Sequence, residues 1–257
     1  MEGDEPVSTP LAGRSVIVTG GGRGLGRGMA VAAAMAGAEV TVVARSRDQL
    51  AHTVDEIEAA GGRAWAEVVD MSALADVRAL ADRVHAERPV WGVVHAAGIQ
   101  ARHDAIDFPD DEFERVLRVN LTAPFVLSSA IARLQMRDGS QGSHVMIGSL
   151  GTSIGLPRVA AYVASKSGIH GVARTLANEW ASSGIRVNVI GPGYFHTELT
   201  KDLFADPANH ARVMNRIPMN RLGTAEDLGG ALVFLLSDAS AYITGQLLNV
   251  DGGWLAT

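Results

Sequence analysis

The chain has 257 residues, of which 47% are hydrophobic, 19% charged and 5% aromatic, enough apolar material for a sizeable core. A formal net charge of −6, with no dense Lys/Arg run, argues against nucleic acid as a partner, because neutralising phosphates needs concentrated positive charge. Cysteine is absent, which excludes disulfides, thiolate metal sites and cysteine nucleophiles together.

In chain order, residues 1–12 open as "MEGDEPVSTP", acidic and proline-containing, with neither the basic start nor the apolar stretch of a signal peptide, and read as a loose arm. Residues 13–257 read as one domain. Short β-branched runs at 15–19, 39–43, 64–69, 91–95, 143–148, 185–190 and 246–250 have the length and composition of buried strands. Amphipathic stretches alternate with them, such as 47–60, "RDQLAHTVDEIEAA", stopped by Gly61 and Gly62. This alternation predicts an α/β fold: a single-domain, Rossmann-type, doubly wound parallel sheet of seven strands with helices on both faces. Residues 194–218 are the least regular interval and read as a substrate loop or lid with short helices around "TELTKDLF" and "PANHARVM". The longest apolar run, "MAVAAAMAGA" from Met29, is too short to span a bilayer, so no membrane partner is expected and the default location is cytoplasmic.

The first strand runs into "TGGGRGLGRG", Thr19 to Gly28. Strand, glycine-rich turn and helix aim free backbone N–H groups and the positive helix end at phosphate, so this turn predicts a nucleotide site. Its glycines follow T-G-x-x-x-G-x-G, through Thr19, Gly20, Gly24 and Gly26, rather than G-x-G-x-x-G. Dinucleotide folds commonly place an acid at the end of the second strand for the adenosine ribose hydroxyl. Ala44 stands there, followed by Arg45, Ser46 and Arg47, with Arg23 inside the turn. A 2′-phosphate is repelled by a carboxylate and held by a guanidinium fork, which favours NADP(H) over NAD(H); the bland alternative for each arginine is a solvated charge.

"AAYVASKSGIHG", 160–171, places Tyr162 and Lys166 four apart, on one face of a helix. Such a pair is weak evidence alone. It gains meaning from company: Asp70 after the third strand, "AAG" (96–98), "RVN" ending at Asn120, Ser149 in "IGSLG", "GPGYFHT" (191–197) and "ITGQLLNVDGG" (243–253). With these motifs in this order, the sequence from Gly13 to Gly253 resembles the short-chain dehydrogenase/reductases. The resemblance implies a catalytic set of Asn120, Ser149, Tyr162 and Lys166, with Lys166 also holding the nicotinamide ribose and Asn120 supporting a water chain behind it. It implies cofactor contacts from Thr19, Gly20, Arg23, Gly24, Leu25, Gly26, Arg45, Ser46, Asp70 at adenine, Met71, Ala97, Gly98, Tyr162, Lys166, Pro192, Gly193 and Thr197, and commonly a homotetramer. The competing reading of Asn120 is a helix-interior asparagine satisfying backbone groups.

Ser149 ends the fifth strand and Tyr162 lies thirteen residues on, so both can reach the carboxyl edge of the sheet, where open α/β folds bind ligands. A free phenol has a pKa of about 10; a neighbouring ammonium is expected to lower it, letting Tyr162 transfer a proton while Ser149 bonds the substrate oxygen. One departure stands out: His95-Ala96-Ala97-Gly98 replaces the family's usual N-N-A-G, so sheet support and cofactor contacts there are expected to differ.

Segments 98–120 and 177–200 and the ending "VDGGWLAT" resemble the family's sugar-acid enzymes, gluconate 5-dehydrogenases and 2-deoxygluconate 3-dehydrogenases among them. Arg102, His103, Arg158 and His196 are the cations expected at a substrate mouth suited to a carboxylate, each with a solvated surface charge as its alternative. The expectation is an NADP(H)-dependent oxidoreductase interconverting a secondary alcohol and a ketone, with gluconate and 5-ketogluconate as the type of pair. A 3-oxoacyl-thioester reductase and a non-catalytic NADP(H) sensor or scaffold remain open. The eight scattered histidines form no spaced cluster with carboxylates, so no metal is expected.

Overall fold

Every β-branched run forms a strand where the sequence places it. In the computed structural model, which describes residues 9–196 and 204–256, these are β1 (Ser15–Thr19), β2 (Glu39–Ala44), β3 (Arg63–Val68), β4 (Val90–His95), β5 (Gly142–Ile147), β6 (Ile185–Pro192) and β7 (Leu247–Val250). They form one parallel sheet in the order β3-β2-β1-β4-β5-β6-β7. Strands β1, β5 and β6 are buried along their whole length, as expected when helices cover both faces.

Alternate side chains of β1 divide between the two layers. Val16 and Val18 pack with Met29 of α1 (Gly24–Met35), Leu50 of α2 (Arg47–Ala59) and Leu232 of α8 (Ala225–Leu236). Ile17 joins Leu80 of α3 (Leu74–Glu87) and Leu127 of α5 (Ala123–Arg137) on the other face. Beside that second layer, α6 (Ala160–Trp180) packs Ile169, Ala173 and Leu176 on β5 and β6. Between α4 (Asp110–Leu117) and α5 lies a π-helical segment, Arg118–Thr122, which carries Asn120. A short α7 (Pro207–Met214) covers "PANHARVM", while the rest of the irregular interval around "TELTKDLF" lies mostly outside the described residues.

The chain builds β1 to β3 outward in one direction, then crosses back to lay β4 to β7 on the other side of β1. The carboxyl ends of β1 and β4 therefore flank a topological switch point, where a crevice opens above the sheet. Residues 1–8 of the expected arm lie outside the described residues, but Leu11 is fully buried and its amide donates to the Ala36 carbonyl at 2.9 Å, so the docked chain begins before residue 12. Among the described residues no helix is long and apolar enough to cross a membrane.

Candidate active site

The turn after β1 has the shape of a phosphate cradle. Gly20 is left-handed (φ +69°), and a Cβ there would sit 2.7 Å from the Ala97 amide nitrogen; a Cβ on Gly26 would collide with the Gly20 carbonyl oxygen. Backbone thus approaches backbone at the crevice, and no larger residue fits. The first turn of α1 has no acidic residue and no side-chain cap from Arg23, so its positive end is left for a ligand. Gly20, Arg23, Gly24, Leu25 and Gly26 line one end of a cleft of about 1190 Å³, room for a dinucleotide with a small substrate beside it. Thr19 departs from expectation. It is buried and outside the lining, with its hydroxyl accepting from the Ala97 amide at 3.2 Å, so it braces the turn instead of facing a ligand.

At and beyond the ends of β2 and β3 the cleft is lined by Ala44, Arg45, Ser46, Asp70 and Met71, and after β4 by Ala97 and Gly98. Ala44 closes β2, and no carboxylate stands at that position. Ser46 Oγ accepts from the Gln49 amide at 3.4 Å and caps α2. Arg45 is largely exposed and only 4.0 Å from an Asp70 carboxylate oxygen, a loose pair that leaves its guanidinium donors available. The backbone amide of Ser72 donates to Asp70 Oδ1 and holds that carboxyl below its ordinary value. Gln49 joins the lining, which the sequence reading had not singled out, whereas Arg47 does not.

At the other end Ser149, Tyr162 and Lys166 converge. Ser149 follows β5 and caps a single 3-10 turn, Leu150–Thr152, while Tyr162 and Lys166 project from the start of α6. All three line the cleft with Pro192 and Gly193 from the end of β6. Ser149 Oγ, which accepts from the Gly151 amide at 3.2 Å, is the polar neighbour of the Tyr162 phenol. Lys166 Nζ donates to the Ile147 carbonyl at 2.6 Å and lies 5.6 Å from the Tyr162 ring centroid. The expected lowering of the phenol pKa by the lysine is not what governs it. Burial pushes the phenol up, and the opposing influence is the hydrogen bond with Ser149. Burial also brings the Lys166 ammonium down to about 8. Asn120 sits behind this group, almost wholly buried: its Oδ1 accepts from the Ile99 amide at 2.8 Å, and its Nδ2 donates to the Ile99 carbonyl at 2.9 Å and to Ser165 Oγ at 3.2 Å. Its side chain thus holds the loop after β4.

The mouth differs most from expectation. Arg102 lines it, joined by Arg115 of α4 and by Arg212 and Arg216 from α7 and just beyond, three cations the sequence reading had not picked out. Arg216 lies over the Trp254 ring, 4.3 Å from its centroid. Arg158 is outside the lining, its guanidinium 3.1 Å from Asp104 and its backbone left-handed (φ 67°). His103 is taken up by Glu112 at 3.1 Å, and His196 is exposed and stacked against Phe204, also outside the lining. Thr197 lies outside the described residues. No group of three or more potential metal ligands occurs among the described residues.

Residues 20–255 match a family model described as enoyl-(acyl carrier protein) reductase. The 2-dehydro-3-deoxy-D-gluconate 5-dehydrogenase of Escherichia coli K12 is 39% identical over 247 residues, covering 96% of this chain and 97% of the relative. The chain belongs to the short-chain dehydrogenase/reductase family. It is an oxidoreductase of that family, and its fold is shared with solved members. One, provisionally identified as an NAD(P)-dependent gluconate 5-dehydrogenase of Beutenbergia cavernae with NADP bound at low occupancy, is 42% identical, with a TM-score of 0.94 over 97% of this chain and all of that one. A gluconate 5-dehydrogenase of Burkholderia cenocepacia in complex with NADP and tartrate is 34% identical, with a TM-score of 0.93 over 97% of this chain and 98% of that one.

Proposed function

We propose that this protein is an NADP(H)-dependent dehydrogenase of a sugar acid, interconverting a secondary hydroxyl and a ketone, as with gluconate and 5-ketogluconate. The observation that carries this reading is one cleft holding three things in sequence: a cradle for phosphates with Arg45 beside it, the Ser149–Tyr162–Lys166 group, and a mouth lined by Arg102, Arg115, Arg212 and Arg216. Guanidinium groups hold carboxylates in the paired geometry that a sugar acid offers and a neutral polyol does not. Relatives named for gluconate-type substrates, and structures of relatives with NADP, support the same reading.

NADP(H), when bound, supplies or accepts the hydride. In reduction, Tyr162 Oη gives its proton to the substrate oxygen, which Ser149 Oγ holds by a hydrogen bond; in oxidation Tyr162 takes that proton back. Burial raises the phenol pKa, so the protonated form prevails at neutral pH and favours reduction, while oxidation draws on the phenolate. Lys166, held at Ile147, brings a positive charge beside that phenolate. Asn120 fixes Ile99, which lines the cleft. At the adenosine end, Arg45 and Arg23 are the groups for a 2′-phosphate, and Thr197 is assigned to the carboxamide. The reading also carries a homotetramer and a cytoplasmic location.

A panel of sugar acids, neutral polyols and 3-oxoacyl thioesters, each assayed with both nicotinamide cofactors, tests it. The highest kcat/KM is expected for a sugar acid with NADP(H). A higher value for a 3-oxoacyl thioester would transfer the protein to lipid chemistry, for which Ile154, Leu156 and Trp254 in the lining provide apolar surface. No turnover of any substrate, with NADP(H) bound, would favour the sensor.

A further inference from the structure

His95 ends β4, immediately before the residues that line the cleft, and is 2% exposed. It belongs to a buried polar chain whose protons can be placed one after another. Gln135 Nε2 donates to the carbonyls of Val90 at 2.9 Å and Trp91 at 3.2 Å, which leaves Gln135 Oε1 as an acceptor. His144 Nε2, 3.1 Å from that oxygen, therefore carries the ring proton. Burial holds His144 neutral, with a pKa of about 3, so its Nδ1 is bare and accepts from Ser128 Oγ at 3.1 Å. With its only proton committed, Ser128 Oγ must accept from His95 Nε2 at 2.7 Å. His95 is likewise held neutral, at about 3, and is left with a bare Nδ1 that is buried and has no hydrogen-bond partner.

A buried acceptor with no donor is costly, and Lys166 is a cationic donor whose charge reaches the His95 ring. His95 stands opposite Met146 in the β4–β5 ladder, and the next residue, Ile147, holds Lys166 Nζ on its carbonyl. Three residues after His95, a Cβ built on Gly98 would come within 3.9 Å of that same Nζ. An ammonium has three protons, and Ile147 takes one. The ionisable groups about Lys166 are Tyr162 on its own helix, His95 on β4, whose ring feels the lysine charge, and His144 on β5 behind His95.

We propose that His95 is a positioning residue for Lys166: its bare Nδ1 accepts, through one buried water, a second proton of the Lys166 ammonium and fixes that ammonium beside Tyr162. A water with a lone pair on one side and an ammonium on the other is satisfied at both ends, and the orphaned nitrogen is relieved. Gln135, His144 and Ser128 act one step further back, by locking the His95 tautomer so that the bare nitrogen is Nδ1. The residue that departs from the family's asparagine thus takes on a role an asparagine is too short to share between Ser128 and the lysine. The catalytic consequence rests on the reading of Tyr162 as acid/base; the hydrogen bond itself does not.

Two measurements test it on the full-length protein without added nucleotide, and a third follows turnover with NADP(H) present. Nitrogen-15 NMR of histidine-labelled wild type should show His95 protonated at Nε2 and bare at Nδ1, with the Nδ1 resonance moving in Lys166→Met. A proton on Nδ1, or an Nδ1 resonance indifferent to Lys166→Met, overturns the proposal. In His95→Leu, checked for folding by its melting curve, the Lys166 ammonium should titrate at a lower pH than in wild type, because it has lost an acceptor. In the same variant kcat should fall about tenfold with KM for the alcohol within about twofold, the signature of a misplaced catalytic group instead of lost binding. An unchanged Lys166 titration in a folded His95→Leu protein also overturns it. Failure of Tyr162→Phe to lower turnover would sink the acid/base reading alone and leave the NMR result standing.

Discussion

The two ends of the cleft are built from different material. The nucleotide end is made by backbone: Gly20 and Gly26 let the β1–α1 turn and the β4 loop approach within contact, and the open first turn of α1 faces the space between them. The mouth is made by side chains, Arg102, Arg115, Arg212, Arg216 and Trp254, carried by loops and short helices far apart in sequence. A site built of backbone tolerates almost no substitution but accepts any ligand with the same phosphates. One built of arginines can be retuned residue by residue. This division explains how one sheet edge can keep a common cofactor while its substrate varies.

Substitutions should therefore act differently at the two ends. The largest effect is expected between them: Tyr162→Phe should lower kcat by about 10²–10⁴-fold with NADP(H) affinity retained, read by steady-state kinetics and by nucleotide fluorescence titration. Next comes Gly26→Ala, whose Cβ must displace the Gly20 carbonyl; nucleotide binding should fall by about 10²-fold or more, with equal loss for NADP(H) and NAD(H) because the backbone does not distinguish them. Arg45→Glu should be selective instead, weakening NADP(H) by about 10–100-fold while sparing NAD(H), since a charge-assisted hydrogen bond becomes a repulsion. A smaller and still more selective change is expected at the mouth. Arg102→Ala or Arg216→Ala should raise KM for an acidic sugar about twofold to fivefold and leave a neutral polyol unchanged, the range of an exposed ion pair. Equal effects on acidic and neutral substrates would dissolve the contrast between the two ends.

The same division decided what could be read from sequence. Strands buried on both faces announce themselves by β-branched runs, so β1 to β7 stand within a residue or two of their expected bounds. The nucleotide end was legible too, because close backbone approach demands glycine and glycine is visible in a sequence. Thr19 is the exception there: its hydroxyl points at the Ala97 amide, a contact 78 residues away that no local pattern records. At the mouth, local position misled. Arg158 precedes Tyr162 by four residues, yet Asp104 holds its guanidinium, and His103 is bound by Glu112. Arg212 and Arg216 enter the cleft from α7 and just beyond it, where Arg216 lies over Trp254. Charge is easily seen in a sequence; its direction depends on packing between distant segments. The phenol of Tyr162 shows the same limit in electrostatics, since burial raises its pKa and the opposing influence comes from Ser149 and not from the lysine four residues on.

The account turns on Tyr162 exchanging one proton with the substrate oxygen in both directions. The most direct test is the pH dependence of kcat/KM for wild type, measured for alcohol oxidation and for ketone reduction. Oxidation needs the phenolate and should rise with pH; reduction needs the phenol and should fall over the same range, with one shared ionisation that disappears in Tyr162→Phe. Profiles that are flat in both directions, or limbs that persist unchanged in Tyr162→Phe, would contradict it.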